Sequence, residues 1–396
     1  MAGGTEGRVG SRWLKLLVAG SAAYQLIYLA IYLAKPHSVA EPPFSDFYAF
    51  WSFGRFLQAL PAHQIYDFAT LQPFQHDLRP GFDAFYPCVY PPILLPFLQA
   101  LGALGYLPAL AVWTTLGLAG FILAVAGRDW RAPTPWLAIL APTTILAVVS
   151  GQNGLLTAAL LIGGFRLMAR RPWLAGVLLG LLAFKPQLFA LLPIVLLAGR
   201  RWRTLAAVCL TVAGMVGLSF SLYGLETWRA WAEALPAFSQ ALESQREAVG
   251  WLMPTITEGL RGAGLTGPLV GVVQGASAAT AVIALVLLFH HGRERDAPSA
   301  LDAAAVQVGT FLATPYAFVY DMPMVSAAVV ALVAARLSSD QSWRPGERVV
   351  AVAGYGLPLA LLSGGFKTVP IGPIVLTALF AVLVRAAWDL RSKSAP

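Results

Sequence analysis

Charge is scarce in this sequence. Only 12% of its 396 residues are Asp, Glu, Lys or Arg, about half the roughly 25% usual in soluble domains, while 58% are hydrophobic. An ordinary soluble fold is excluded, because it could not hide so much apolar surface. Cysteine is nearly missing. With only Cys88 and Cys209 present, neither a disulfide framework nor a cysteine metal cluster can form. Phosphate-binding and dinucleotide-binding glycine loops are absent, as is zinc-ligand spacing among the five histidines. The formal charge of +8 arises from small Lys and Arg clusters between apolar runs. Without a continuous basic face, nucleic acid is excluded as a partner.

What the sequence does contain is one apolar run after another. A helix of about 17 to 25 such residues crosses a hydrocarbon core of about 30 Å. The pattern predicts an all-α integral membrane protein forming a single transmembrane domain over 1–396. About twelve transmembrane helices are expected, at 12–34, 106–127, 133–149, 154–169, 172–184, 187–199, 204–223, 267–289, 301–313, 321–337, 347–364 and 371–389. The first run follows Arg8, Arg12 and Lys15 and exceeds the 7 to 15 or so apolar residues of a signal peptide, so it reads as an uncleaved anchor.

With the amino terminus inside, this layout places 19 of the 27 Lys and Arg on the inner side and 11 of the 19 acidic residues on the outer. The positive-inside rule then makes both termini cytoplasmic. Residues 90–105 are apolar enough to cross, but a crossing there would invert every later loop, so an interfacial helix is predicted instead. Two outer segments, 35–105 and 224–266, are expected to lie on the membrane surface, the second carrying Trp228, Trp231 and Trp251. The hairpin at 172–199 has arms of about 13 apolar residues, near 20 Å at 1.5 Å per residue. Its apex, Lys185-Pro186-Gln187, therefore places a cation and a helix break at membrane depth, where irregular backbone must face protein or a wet cavity.

Several residues could carry chemistry, each with a plainer reading beside it. Asp46 lies in an aromatic stretch that would raise its pKa toward that of a general base; equally, Ser45 and Asp46 would serve as N-caps of a helix over 47–60. Lys185 at membrane depth calls for an anion, a lipid phosphate being the obvious one, unless its stem snorkels. Asp321 is a functional candidate by position, or the partner of Lys367 or Lys185. Gln152 and Asn153 offer two amides to hydroxyl groups, or simply form a polar helix-hairpin turn.

Taken in order, these pieces resemble the GT-C glycosyltransferases of family 87, which are polyprenyl-phosphate-mannose-dependent membrane proteins. The matching residues are Asp46 to Tyr48, Ile65-Tyr66, Phe85-Tyr86-Pro87, Tyr90-Pro91-Pro92, Gly151-Gln152-Asn153, Lys185-Pro186, and Pro315-Tyr316 through Tyr320-Asp321. The loop at 86–92 departs from the commoner pattern by an extra aromatic and an extra proline, which bears on donor or acceptor specificity. The resemblance implies a GT-C-like bundle in the plasma membrane. It also implies transfer of a hexose, mannose, from a polyprenyl-phosphate sugar to a hydroxyl of a lipid or glycan acceptor on the outer face. Asp46 would be the catalytic residue and Lys185 the donor-phosphate ligand, with Gln152, Asn153, Tyr316, Asp321, Tyr48 and Tyr90 near sugar or acceptor. No cofactor is implied, although some GT-C relatives use a divalent cation. The rival reading, a transporter or lipid flippase, would share the spans and the intramembrane Lys. It lacks support from any repeat linking 1–200 with 201–396.

Overall fold

The computed structural model describes residues 3–34, 46–81, 84–127, 133–295, 297–338 and 343–392, and every regular element among them is helical. After α1 (Gly3–Ala34) come three short helices, α2 (Phe47–Ala59), α3 (Phe68–Leu78) and α4 (Leu95–Gly102). Phe47, Phe50, Phe53 and Phe56 recur every three residues on α2 and are all buried, as an amphipathic helix requires. α2 meets α4 almost backbone to backbone. A Cβ on Gly54 would lie 2.1 Å from the Leu98 carbonyl oxygen, so only glycine fits the crossing. Most of the apolar stretch expected to rest at the interface is thus covered by protein, with Leu95, Leu98 and Leu101 buried.

The bundle follows as α5 (Tyr106–Ala126), α6 (Pro133–Ile139), α7 (Pro142–Ser150), α8 (Gly154–Leu167), α9 (Pro172–Leu181), α10 (Pro186–Phe189), α11 (Leu191–Ala198) and α12 (Trp202–Ser244). It continues through α13 (Arg246–Val249), α14 (Ile256–Gly262), α15 (Pro268–His291), α16 (Ala300–Ala313), α17 (Pro323–Ser338), α18 (Glu347–Leu362) and α19 (Ile371–Ser392). Five described stretches are long and apolar enough to cross a membrane: Lys15–Ala34, α5, α12, α15 and Ile371–Arg391. The other expected spans are shorter helices or pieces. α8 and α16 have 14 residues, α17 and α18 have 16, and the 133–149 run divides at Pro142.

Proline explains the division, because it removes a backbone donor and opens a helix at its first turn. The carbonyls freed between α6 and α7 find a partner on α1: the Gln25 amide donates to Ala141 O at 3.0 Å and to Ile139 O at 3.4 Å. Buried breaks of this kind persist only when such partners exist.

The hairpin at 172–199 is realised. α9 and α12 run side by side in the same direction, Gly176 against Thr204 and Ala207, Gly180 against Val208 and Thr211. The chain between them must therefore return to the end from which α9 starts. At that end the Arg201 guanidinium donates to Gly292 O (3.1 Å) and Arg295 O (2.6 Å), and Arg391 pairs with Asp302 at 2.5 Å. At the other end α12 kinks at Gly224 (φ 70°) and runs into the second loop segment, which folds onto the first: Phe238 packs on Phe68 at 5.5 Å and the Trp231 indole donates to Val89 O at 3.4 Å.

Gly176→Val places its new carbon where Cβ would already lie 2.4 Å from Ala207 Cβ and from Thr204 O. It is expected to lower the thermal midpoint by the equivalent of about 1–3 kcal/mol. Gly217→Ala, which meets nothing within 4 Å inside α12, should keep or slightly raise the midpoint; equal melting of the two variants in a fluorescence melt would refute the α9–α12 register.

Candidate active site

Three separate stretches of chain converge at the end away from the arginine cluster, together with Tyr90 and with Lys185 at the hairpin apex. The first begins at Asp46, whose N–H donates to Ser150 O at 3.1 Å. Gly151 ends α7 at φ 73°, and a Cβ there would sit 2.6 Å from Phe47 Cβ, so glycine is required twice over. Although Asp46 occupies the N-cap position of α2, its side chain makes no capping hydrogen bond. Its Oδ2 instead accepts from Gln152 Nε2 at 3.1 Å. Of the two sequence readings of Asp46, helix capping is not the one adopted; Ser45 lies outside the described residues.

The second stretch is the turn at 150–154. Asn153 is buried and its Nδ2 donates to the Tyr90 hydroxyl at 3.1 Å. Tyr90 also packs on Phe50 at 5.5 Å and on Phe184, beside the hairpin apex, at 6.4 Å. Burial pushes the Tyr90 hydroxyl well above its usual pKa of 10, with Tyr316 and Asp321 adding to the effect, so it stays neutral and can both donate and accept. Gln152 Oε1 and Asn153 Oδ1 are buried and accept no hydrogen bond from the described residues. Each has capacity to take a hydroxyl donor.

The third stretch is the loop before α17. Gly154 admits it closely, since a Cβ there would lie 1.7 Å from Tyr320 O. Lys185 leaves the helical region at φ −117°, is 3% exposed, and donates from Nζ to Asp321 Oδ1 at 2.5 Å. Asp321 Oδ2 closes its own turn by accepting from Phe318 N at 3.3 Å. Asp321 therefore pairs with Lys185 and not with Lys367, whose ammonium lies 4.8 Å over the Trp251 ring. Lys185 does not snorkel; it is held.

Tyr48 is not part of this gathering. Its hydroxyl donates to Gln75 O at 2.5 Å and fastens α2 to α3, and burial pushes its pKa up to about 12. Tyr316 does belong, with its ring edge-on to Phe318 at 5.4 Å and its hydroxyl raised to about 12 by burial and then by Asp321. The residue overlooked in the sequence is Tyr320. Its ring centroid lies 5.5 Å from Lys185 Nζ, and its hydroxyl, raised well above 10 chiefly by burial, also feels Tyr316, Asp321, Tyr90 and Asp46. It links the carboxylate half of the site to the cation half, and its position next to Asp321 was the available signal.

The arrangement offers a carboxylate to accept a proton, two amide oxygens and neutral tyrosines for hydroxyls, and a cation for a leaving anion. Both members of the Lys185–Asp321 pair are nearly fully buried, so Asp321→Asn or Lys185→Met alone should cost about 3–5 kcal/mol in a denaturation experiment, the double Lys185→Met/Asp321→Leu far less. Single-variant losses below about 1 kcal/mol, typical of exposed pairs, would contradict the burial.

The profile of glycosyltransferase family 87 matches residues 89–315. The match takes in Tyr90, Gln152, Asn153 and Lys185; Asp46, Tyr48, Tyr316, Tyr320 and Asp321 fall outside it. Neither the curated proteins nor the solved structures provide a match. Since the matched segment covers more than half of this helical, multi-pass chain, the protein belongs to glycosyltransferase family 87 and is a membrane glycosyltransferase.

Proposed function

We propose that the protein transfers a hexose, mannose, from a polyprenyl-phosphate donor to a hydroxyl of a lipid or glycan acceptor at the outer face of the plasma membrane, without a resident cofactor. The observation that carries this reading is the Asp46 carboxylate, uncommitted to its helix and held at 3.1 Å by Gln152 within a site that also contains the buried Lys185.

In this mechanism Asp46 takes the acceptor hydroxyl's proton as its oxygen attacks the anomeric carbon, and a single direct displacement inverts that carbon. The Gln152 amide orients the carboxylate. The acceptor oxygens of Gln152 and Asn153 receive sugar hydroxyls, with the neutral Tyr90, Tyr316 and Tyr320 around them. The departing lipid phosphate gathers negative charge, and a charge-assisted contact to Lys185 strengthens as it does. An ammonium has three donors; Asp321 takes one, leaving two for phosphate oxygens and fixing the direction in which they are offered. Support for a lipid-linked donor comes from the missing nucleotide motifs and from the apolar helices that surround the site. Support for the outer face comes from the excess of Lys and Arg at the opposite end.

Asp46→Asn should reduce mannosyl transfer from prenyl-phosphate-mannose by at least about 10²-fold, as loss of a general base does, with the thermal midpoint unchanged. Full transfer by this variant refutes the mechanism. Orientation is read separately in a Cys209→Ser background: cysteine introduced at Thr70 should react with an impermeant maleimide in intact cells and cysteine at Ser299 should not. The reverse pattern inverts the topology.

A further inference from the structure

At the arginine-rich end of the bundle, α1, α6, α17 and α18 do not close on one another. Between them lies a cavity of about 490 Å³, within the roughly 300–1,000 Å³ of ordinary ligand sites and far from Asp46. Its walls include Leu17, Leu137, Val330, Val333 and Ala351. The Tyr355 hydroxyl on its lining is already engaged, donating to Leu137 O at 2.8 Å and lying 2.9 Å from Ser21 Oγ. The depth of the cavity therefore offers little to a sugar or nucleotide and suits a hydrocarbon chain.

The mouth is different. Arg348 is exposed and its guanidinium lies 5.9 Å from the ring of Trp343, both residues lining the cavity. Neighbouring cations are neutralised: Arg336 and Arg385 share Glu347 at 2.7 and 2.9 Å, and Arg344 takes Asp389 at 2.7 Å. Arg348 forms no ion pair among the described residues. An apolar slot between helices, with a spare guanidinium and an indole at its rim, has the charge and shape of a site for a lipid bearing a phosphate headgroup.

We propose that this cavity binds an anionic glycerophospholipid, one acyl chain inside it and the phosphate on Arg348. The bound lipid would fill the wedge beside α1, which in this region is tied to α18 through the Ser21–Tyr355 contact. The proposal requires only that the helices lie in a bilayer and is independent of the sugar donor.

The test uses the full-length protein, delipidated in detergent and offered equal phosphatidylglycerol and phosphatidylcholine of the same chains, with retained lipid counted by native mass spectrometry. About fivefold more phosphatidylglycerol is expected per protein, the ratio that one arginine at a headgroup supports. Arg348→Gln should bring that ratio to about one, Arg344→Gln should leave it unchanged, and Ala351→Phe should expel both lipids. Should Ala351→Phe not fold, brominated phosphatidylglycerol must quench Trp343, read as the difference from Trp343→Leu. Equal retention of the two lipids, a preference that survives Arg348→Gln, no Trp343 quenching, or a polyprenyl phosphate found in the cavity instead would each overturn the proposal.

Discussion

A charge buried inside a helical bundle has no water to turn to, and Lys185, 3% exposed, is such a charge. Stripping an ion of its hydration costs several kcal/mol, and what offsets it here is the Asp321 carboxylate, 136 residues away in sequence and 2.5 Å away in space. That requirement pins the hairpin apex to the loop before α17. Pro186 opens α10 and keeps Lys185 before it out of the helical region, Gly154 lets the Tyr320 carbonyl approach, and Asp46 is tied by its N–H to the same turn. The site is assembled around one neutralised cation whose remaining donors are free to meet another anion.

The two ends of the bundle carry different kinds of polar group. At the arginine-rich end the carboxylates are used up: Glu347 takes two guanidinium groups, Asp302 takes Arg391, and Arg201 is spent on backbone carbonyls. Those contacts join helix ends. At the other end Gln152 Oε1 and Asn153 Oδ1 stay buried with no donor among the described residues.

Short helices follow from the same economy of backbone hydrogen bonds. Proline opens α6, α7, α9, α10, α15 and α17, and where one helix follows directly on another, the last carbonyls of the first must be met from elsewhere. Gln25 does this for the α6–α7 break, so α1 serves as a hydrogen-bond partner of the bundle. The cavity beside it is bounded by a further tie, Tyr355 to Leu137 O and Ser21 Oγ, while apolar walls face each other across the gap.

Much of this was legible from local chemistry. Apolar run length gave the helical membrane class, the Lys185-Pro186 pair gave the helix break at the hairpin apex, and the Gly151-Gln152-Asn153 turn gave amides at a helix-hairpin end, because each is set by residues adjacent in sequence. Tertiary structure decided the rest. It chose Lys185 over Lys367 as the partner of Asp321, sent the Tyr48 hydroxyl to Gln75, packed 95–102 onto α2, turned Asp46 away from its own helix toward Gln152, and brought Tyr320 between carboxylate and cation. None of these choices has a local signature, since the Coulomb and packing terms that settle them act between groups far apart in sequence and exist only once the chain has folded.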